Sequence, residues 1–181
     1  MRIVGGTLGG REIARSVPRG VRPTTDRVRE AIFSSLETRG AIRGARVLDL
    51  FGGTGAMGFE ALSRGAARVD YVERNAKVAE AAKREATRLG LSTQFVPWVE
   101  SVEQVLQRNR IGEVDVVFAD PPYEYLAFGV LGDAMPTARW VVIESDRDVD
   151  LGERWEPIRV HRYGRTVVAL YQPCGQEELS R

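Results

Sequence analysis

Five short, valine-rich apolar runs, at residues 46–51, 68–72, 93–96, 114–119 and 140–144, alternate with segments of helical periodicity near 56–64, 76–89, 102–109 and 126–134. A strand buried on both faces is apolar along its whole length, and a helix between consecutive strands makes them run parallel. The alternation therefore predicts a doubly wound α/β fold with a mostly parallel sheet. Runs at 158–163 and 166–171 flank Gly164-Arg165, a two-residue turn that joins antiparallel strands. The sheet is thus expected to close with a hairpin.

The segment ahead of the alternation is different. Residues 1–20 mix short apolar stretches with Gly5-Gly6 and Gly9-Gly10 and read as a small hairpin or loop arm. Arg22-Pro23-Thr24-Thr25-Asp26 then opens a helix with a Thr cap, and Val28, Ile32, Phe33 and Leu36 recur at helical spacing until Gly40 and Gly44. We divide the chain at 44/45, into an extension (1–44) and an α/β domain (45–175). The whole is 181 residues, the size of one α/β domain with a short appendage.

Composition removes several function classes. The single cysteine, Cys174, and single histidine, His161, leave no internal disulfide and no Cys- or His-based metal site. No apolar run approaches a membrane span, and the first residues lack the apolar core of a signal peptide, so the cytoplasm is the expected compartment. The net charge of +1 is unevenly placed. Residues 1–46 carry ten arginines against four acids, which suggests a polyanion-binding element beside a mildly acidic body. A solvated arginine surface reads the same numbers equally well. Arg11, Arg22, Arg27 and Arg29 are the candidates for phosphate contact, and Arg2 and Thr24 complete the set.

The run Val47-Leu48-Asp49-Leu50-Phe51 leads into Gly52-Gly53-Thr54-Gly55-Ala56-Met57-Gly58. A strand, a glycine-rich turn and a helix start form a Rossmann-type ligand site, where the backbone approaches the ligand closely and the helix offers free N–H groups. Glu73 stands about 20 residues on, after the second run, where a carboxylate accepts both hydroxyls of a ribose. Gly53-x-Gly55-x-x-Gly58 also fits the dinucleotide fingerprint, so a nicotinamide enzyme has to be weighed. Asp49, inside the strand end, disfavours it: a carboxylate there is awkward beside a pyrophosphate and natural beside the ammonium of a methionine moiety.

The sharpest signal is Val116-Val117-Phe118-Ala119 running into Asp120-Pro121-Pro122-Tyr123. Ligands of open α/β sheets sit beyond the carboxyl ends of the strands, near the point where strand order reverses. This run is expected beside the first one, which turns Asp120 toward a methyl donor. An exocyclic amine on a purine is a poor nucleophile because its lone pair is drawn into the ring. Asp120 and the carbonyl of Pro121 can each accept one of its N–H groups and aim the lone pair for in-line displacement. The two prolines fix the backbone, and the Tyr123 ring offers a stacking face for a base drawn out of its helix.

These residues resemble known proteins. Asp120–Tyr123 together with 49–58 resembles amino-methyltransferases acting on nucleic acids, and the expected sheet resembles the class I methyltransferase plan of seven strands with an antiparallel last one. Ile3-Val4-Gly5-Gly6, Gly10-Arg11, the stretch from Arg22 to Phe33, Leu48–Phe51 and Glu60–Ala66 are similar to the RsmD family, bacterial 16S ribosomal RNA guanine-N2 methyltransferases. The similarity runs from Arg2 to about Tyr171. It implies S-adenosyl-L-methionine as cofactor and the 2-amino group of a guanine in the small subunit, or in an assembly intermediate, as target of a monomeric enzyme. By position it implies that Gly52, Gly53, Gly55 and Glu73 hold the cofactor, joined by Asp49, Phe51, Thr54 and Arg74, with Ser101 or its neighbour Glu100 at the adenine. Asp120, Pro121, Pro122 and Tyr123 would hold the base. A DNA or RNA adenine amino-methyltransferase and a catalytically silent RNA-binding assembly factor are the alternatives. No stretch between the strands is long enough for the recognition insert a DNA enzyme normally carries.

Overall fold

The structure, a computed structural model, describes residues 1–13 and 25–175. Its strands are β1 (Arg46–Leu50), β2 (Arg68–Val72), β3 (Phe95–Trp98), β4 (Val114–Ala119), β5 (Ala138–Ser145), β6 (Trp155–Tyr163) and β7 (Thr166–Pro173). Its helices are α1 (Asp26–Thr38), α2 (Ala56–Ser63), α3 (Ala76–Leu89), α4 (Val102–Gln107) and α5 (Phe128–Ala134). The strands form one sheet in the order β3-β2-β1-β4-β5-β7-β6. β1 to β5 pair in parallel, and β7 is antiparallel to both β5 and β6. This is the class I methyltransferase plan, and the order reverses between β1 and β4, where such a sheet opens its ligand crevice.

Two apolar layers cover the two faces. Val116, Phe118 and Val142 face a core shared with α1, α2 and α3, while Val117, Val141 and Ile143 face one shared with α4 and α5. Local chemistry sets the helix ends. Thr25 caps α1 by accepting the Val28 N–H at 3.3 Å, Asn75 accepts the N–H groups of Lys77 and Val78 at the start of α3, and Gly90 ends α3 in the left-handed conformation.

The third strand lies two residues later than its apolar pattern suggests. The Phe95 and Gln94 N–H groups both return to the Leu91 carbonyl, closing a turn that delays extension. Pro97 is tolerated because β3 is an edge strand. The amino-terminal arm is less regular than a hairpin: one antiparallel bridge joins Arg2 and Glu12 around a 3-10 turn at Gly6–Leu8. It is not loose, since Ile3 and Ile13 are buried in the same core as Ile32, Phe33 and Leu36 of α1. Residues of the extension and of the α/β domain thus share one core.

Candidate active site

β1 delivers its carboxyl end into a turn of unusual backbone. Phe51, Gly53 and Gly55 take φ of 57°, 52° and 77°, a region that costs a side-chain-bearing residue such as Phe51 about 1 kcal/mol or more. Gly52 is required by packing, since a Cβ would come within 2.3 Å of the Tyr71 ring. The Tyr71 hydroxyl donates to the Gly53 carbonyl at 2.5 Å and pins the turn from β2. Glu73 accepts the N–H of Gly53 at 3.1 Å and that of Asn75 at 2.7 Å, so its carboxylate is oriented across the turn. On the other side, Asp49 accepts the Gly58 N–H of α2 at 3.0 Å. A Cβ at Gly58 would crowd that same carboxylate at 3.2 Å and Val69 at 2.9 Å.

Leu50 of β1 is in register with Ala119 of β4, and Ala119 with Ile143 of β5. The next row beyond the paired ladder therefore holds Phe51, Asp120 and Glu144, with Glu73 following Val72 of β2, itself in register with Leu50. Burial pushes the Asp49 carboxyl up to about 7, against the pull of its Gly58 bond and with the help of Glu73. Asp120 is pushed well above the usual carboxylate range, first by desolvation and then by Glu144 and Asp49. Asp120 is an exposed residue that directly follows β4. The upward direction stands because two carboxylates act in the same sense as desolvation. Asp49, Glu73 and Asp120 form no ion pair with a described residue. Carboxyls held so high ionise when a cation comes to rest beside them, so the crevice suits a cation and offers nothing to a pyrophosphate.

After Asp120, Pro121 is buried, while Pro122 and Tyr123 are exposed. Tyr123 leaves 56% of its surface open, as a stacking platform requires. The Tyr125 N–H returns to the Pro122 carbonyl at 2.8 Å, and Arg147 donates to the Tyr123 carbonyl at 2.9 Å. Behind the loop, the Tyr125 ring meets Phe51 and Phe128 edge-on, each at 5.3 Å, coupling this loop to the glycine turn.

Of the residues singled out from sequence, Asp49, Phe51, Gly52, Gly53, Thr54, Gly55, Glu73 and Asp120–Tyr123 lie at or just beyond the carboxyl ends of the neighbouring strands β1, β2 and β4. Arg74 follows Glu73 and is exposed. Ser101 has another occupation: its hydroxyl accepts the Gln104 N–H and its own N–H goes to the Gln104 side chain, a capping box that starts α4. The spacing Ser101-x-x-Gln104 was a readable signal for that role. Arg29 needs correction as an RNA contact. Its side chain is 0% exposed and bound to Glu60, Asp26 and the Arg2 carbonyl, so no phosphate can reach it. Arg2 is exposed but paired with Asp26 at 3.2 Å. Arg11 and Arg27 are exposed without an ion pair to a described residue. Arg22 and Thr24 lie outside the described residues. Sequence reasoning missed Tyr71, Arg147 and Glu144. Only Glu144, an acid at the end of an apolar run, left a visible trace.

The family model described as conserved hypothetical protein 95 matches residues 1–172. Ribosomal RNA small subunit methyltransferase D of Escherichia coli (strain K12) is 36% identical over 187 residues, covering 98% of this chain and 92% of that protein. This chain belongs to the RsmD family. The Haemophilus influenzae protein of the same name is 32% identical over 182 residues, covering 95% of this chain and 93% of its own. Among solved structures, yhhF from Escherichia coli superposes with a TM-score of 0.82 at 32% identity, covering 97% of this chain and 99% of the other. The family model covers the arm and α1 as well as the α/β domain.

Proposed function

We propose that this RsmD-family chain transfers the methyl group of S-adenosyl-L-methionine to the exocyclic 2-amino group of a guanine in 16S ribosomal RNA. Membership in the family makes it a ribosomal RNA methyltransferase. The donor and the residue roles are inferred from the chemistry of the site, and the guanine 2-amino target from the resemblance to the RsmD family. The observation that carries them is the convergence of Asp49, Glu73 and Asp120 on one glycine turn, with no basic partner among the described residues. Those carboxylates fit a cofactor that brings an ammonium, ribose hydroxyls and a sulfonium, and they offer nothing to a dinucleotide pyrophosphate.

S-adenosyl-L-methionine supplies an electrophilic methyl group when bound. Asp49 faces the ammonium, Glu73 accepts the ribose hydroxyls, and residues 51–55 with Arg74 surround the cofactor. Asp120 and the Pro121 carbonyl accept the two N–H groups of the target amine and direct its lone pair. Tyr123 stacks on the extruded base. The amine becomes acidic only once methylated, so no strong general base is required. Ionised Asp120 can take the released proton or pass it to solvent.

The reading implies a monomer working in the cytoplasm on the small subunit or an assembly intermediate. It is tested by tritiated methyl transfer to undermodified small subunits, large subunits and naked RNA, followed by nucleoside analysis. Label in N2-methylguanosine of 16S RNA is expected. Label in N6-methyladenosine would overturn the assigned base, and no transfer to any RNA would favour a silent assembly factor.

A further inference from the structure

A groove of about 330 Å³ lies between α1 and the β6–β7 hairpin, away from the glycine turn. Arg39, Ser34, Ser35 and Thr38 line one wall, and Arg159, His161 and Tyr163 the other, over a floor that includes Val142, Val168 and Leu170. None of these lining residues is acidic. Neither Arg39 nor Arg159 forms an ion pair with a described residue. Arg39 spends Nη1 on the Ser35 carbonyl and hydroxyl and stands over the Trp140 ring. Arg159 donates through Nε to the His161 Nε2, which leaves both of its terminal nitrogens, and the Nδ1 proton of His161, as donors.

Register ties this groove to the reacting end of the site. Val168 is opposite Glu144 on β5 and opposite His161 on β6, and Leu170 is opposite Val142 and Arg159. Phe118, Val142, Val168 and Leu170 face one core layer, so Arg159 and His161 point to the face that Asp120 continues two residues after Phe118. From β4 to β6 is three strand steps, about 14 Å. A few linked nucleotides span that distance.

We propose that the groove lined by Arg39, Arg159 and His161 holds the phosphate backbone of the RNA strand whose target base occupies the Asp120 pocket. This inference rests on the RNA methyltransferase reading above. Two guanidinium groups without carboxylates, beside hydroxyl donors and an exposed imidazole, match a row of phosphates. The groove sits on the face and at the level from which the extruded base leaves its strand. It anchors the strand and reads no base.

The test compares wild type, the double variant Arg159→Ala/His161→Ala, and Arg165→Ala. Arg165 is an exposed residue at the tip of the hairpin turn and outside the groove. Initial rates of tritiated methyl transfer to undermodified small subunits are measured over a salt series, with S-adenosylhomocysteine affinity by calorimetry. For the double variant, KM for the particle should rise roughly five- to tenfold, and the salt slope of log kcat/KM should flatten by about 0.7–0.9 per lost phosphate contact. The loss should fall on KM rather than kcat, with cofactor affinity unchanged. Arg165→Ala should behave as wild type. If the double variant folds poorly, Arg159→Gln keeps the stem and should show the same direction. Unchanged KM and salt slope, or an equal loss in Arg165→Ala, would overturn the groove while leaving the methyltransferase reading intact. A wild type that methylates no RNA would sink that reading first, and the groove with it.

Discussion

The Nε of Arg29 donates to Oε2 of Glu60 at 3.3 Å, and both side chains are wholly shielded from solvent. Glu60 also accepts the N–H groups of Val4 and Gly5, each at 2.7 Å, and the Nε of Arg64 at 2.8 Å. Arg64 extends the network to Glu30 and Glu37. The arm, α1 and α2 are thereby fastened together, and α2 is the helix that follows the glycine turn.

Removing Arg29 leaves buried Glu60 with one cationic partner, Arg64, instead of two, and empties the volume of a wholly buried side chain. Arg29→Ala is expected to lower stability by about 3–5 kcal/mol. By contrast, Arg43→Ala, an exposed change on the loop after α1, should stay within about 0.5 kcal/mol of wild type. Urea unfolding midpoints decide this, and indistinguishable midpoints for the two variants would contradict the structural role.

Cofactor affinity should depend on pH through Asp49. Its carboxyl sits at about 7 in the folded protein, above the usual 3.8, so the free folded state holds a proton that the unfolded chain gives up. Stability contributed by that proton is present below about pH 4 and is lost as pH rises through about 7. The cofactor's ammonium prefers the ionised form, so affinity for S-adenosylhomocysteine, which keeps that ammonium, should rise roughly tenfold between about pH 6 and pH 8. In calorimetry, Asp49→Asn should bind weakly and show a flat profile. Affinity that falls with pH in the wild type would remove Asp49 from the ammonium site.

Much of this was legible in sequence, for identifiable reasons. Valine-rich runs separated by helical periods encode a parallel sheet directly, and the glycine turn with Asp49, Glu73 and Asp120 encodes the crevice because each residue ends or follows a strand. Arg29 was misread because its charge is visible in sequence while its partner, Glu60, lies 31 residues away on another helix. Phe51 carries no sequence mark of its left-handed backbone, which the surrounding turn imposes. Tyr71 looks like an ordinary strand aromatic until the sheet sets its hydroxyl against Gly53.

The arm's role in RNA binding narrows to its exposed arginines. Deleting the arm would strip Glu60 of the Val4 and Gly5 donors and remove Ile3 and Ile13 from the core, so truncation perturbs folding as well as binding. Point variants are cleaner. Arg11→Ala and Arg27→Ala should each weaken binding to small subunits and flatten the salt slope by roughly one unit, with cofactor affinity unchanged. Filter binding over a salt series reads this, and slopes equal to wild type would assign phosphate contact elsewhere.

The proposed mechanism divides the labour, with Asp49 and Glu73 assigned to the cofactor and Asp120 to the target amine. The most direct measurement pairs methyl transfer to undermodified small subunits with S-adenosylhomocysteine calorimetry for Asp120→Ala and Glu73→Ala. Asp120→Ala should lose transfer by several orders of magnitude and keep cofactor affinity within a few-fold, because its contact to the amine is realised in the transition state. Glu73→Ala should instead weaken cofactor binding first and recover part of its rate at high cofactor concentration. Near wild-type transfer by Asp120→Ala, or a loss explained wholly by weaker cofactor binding, would contradict the account.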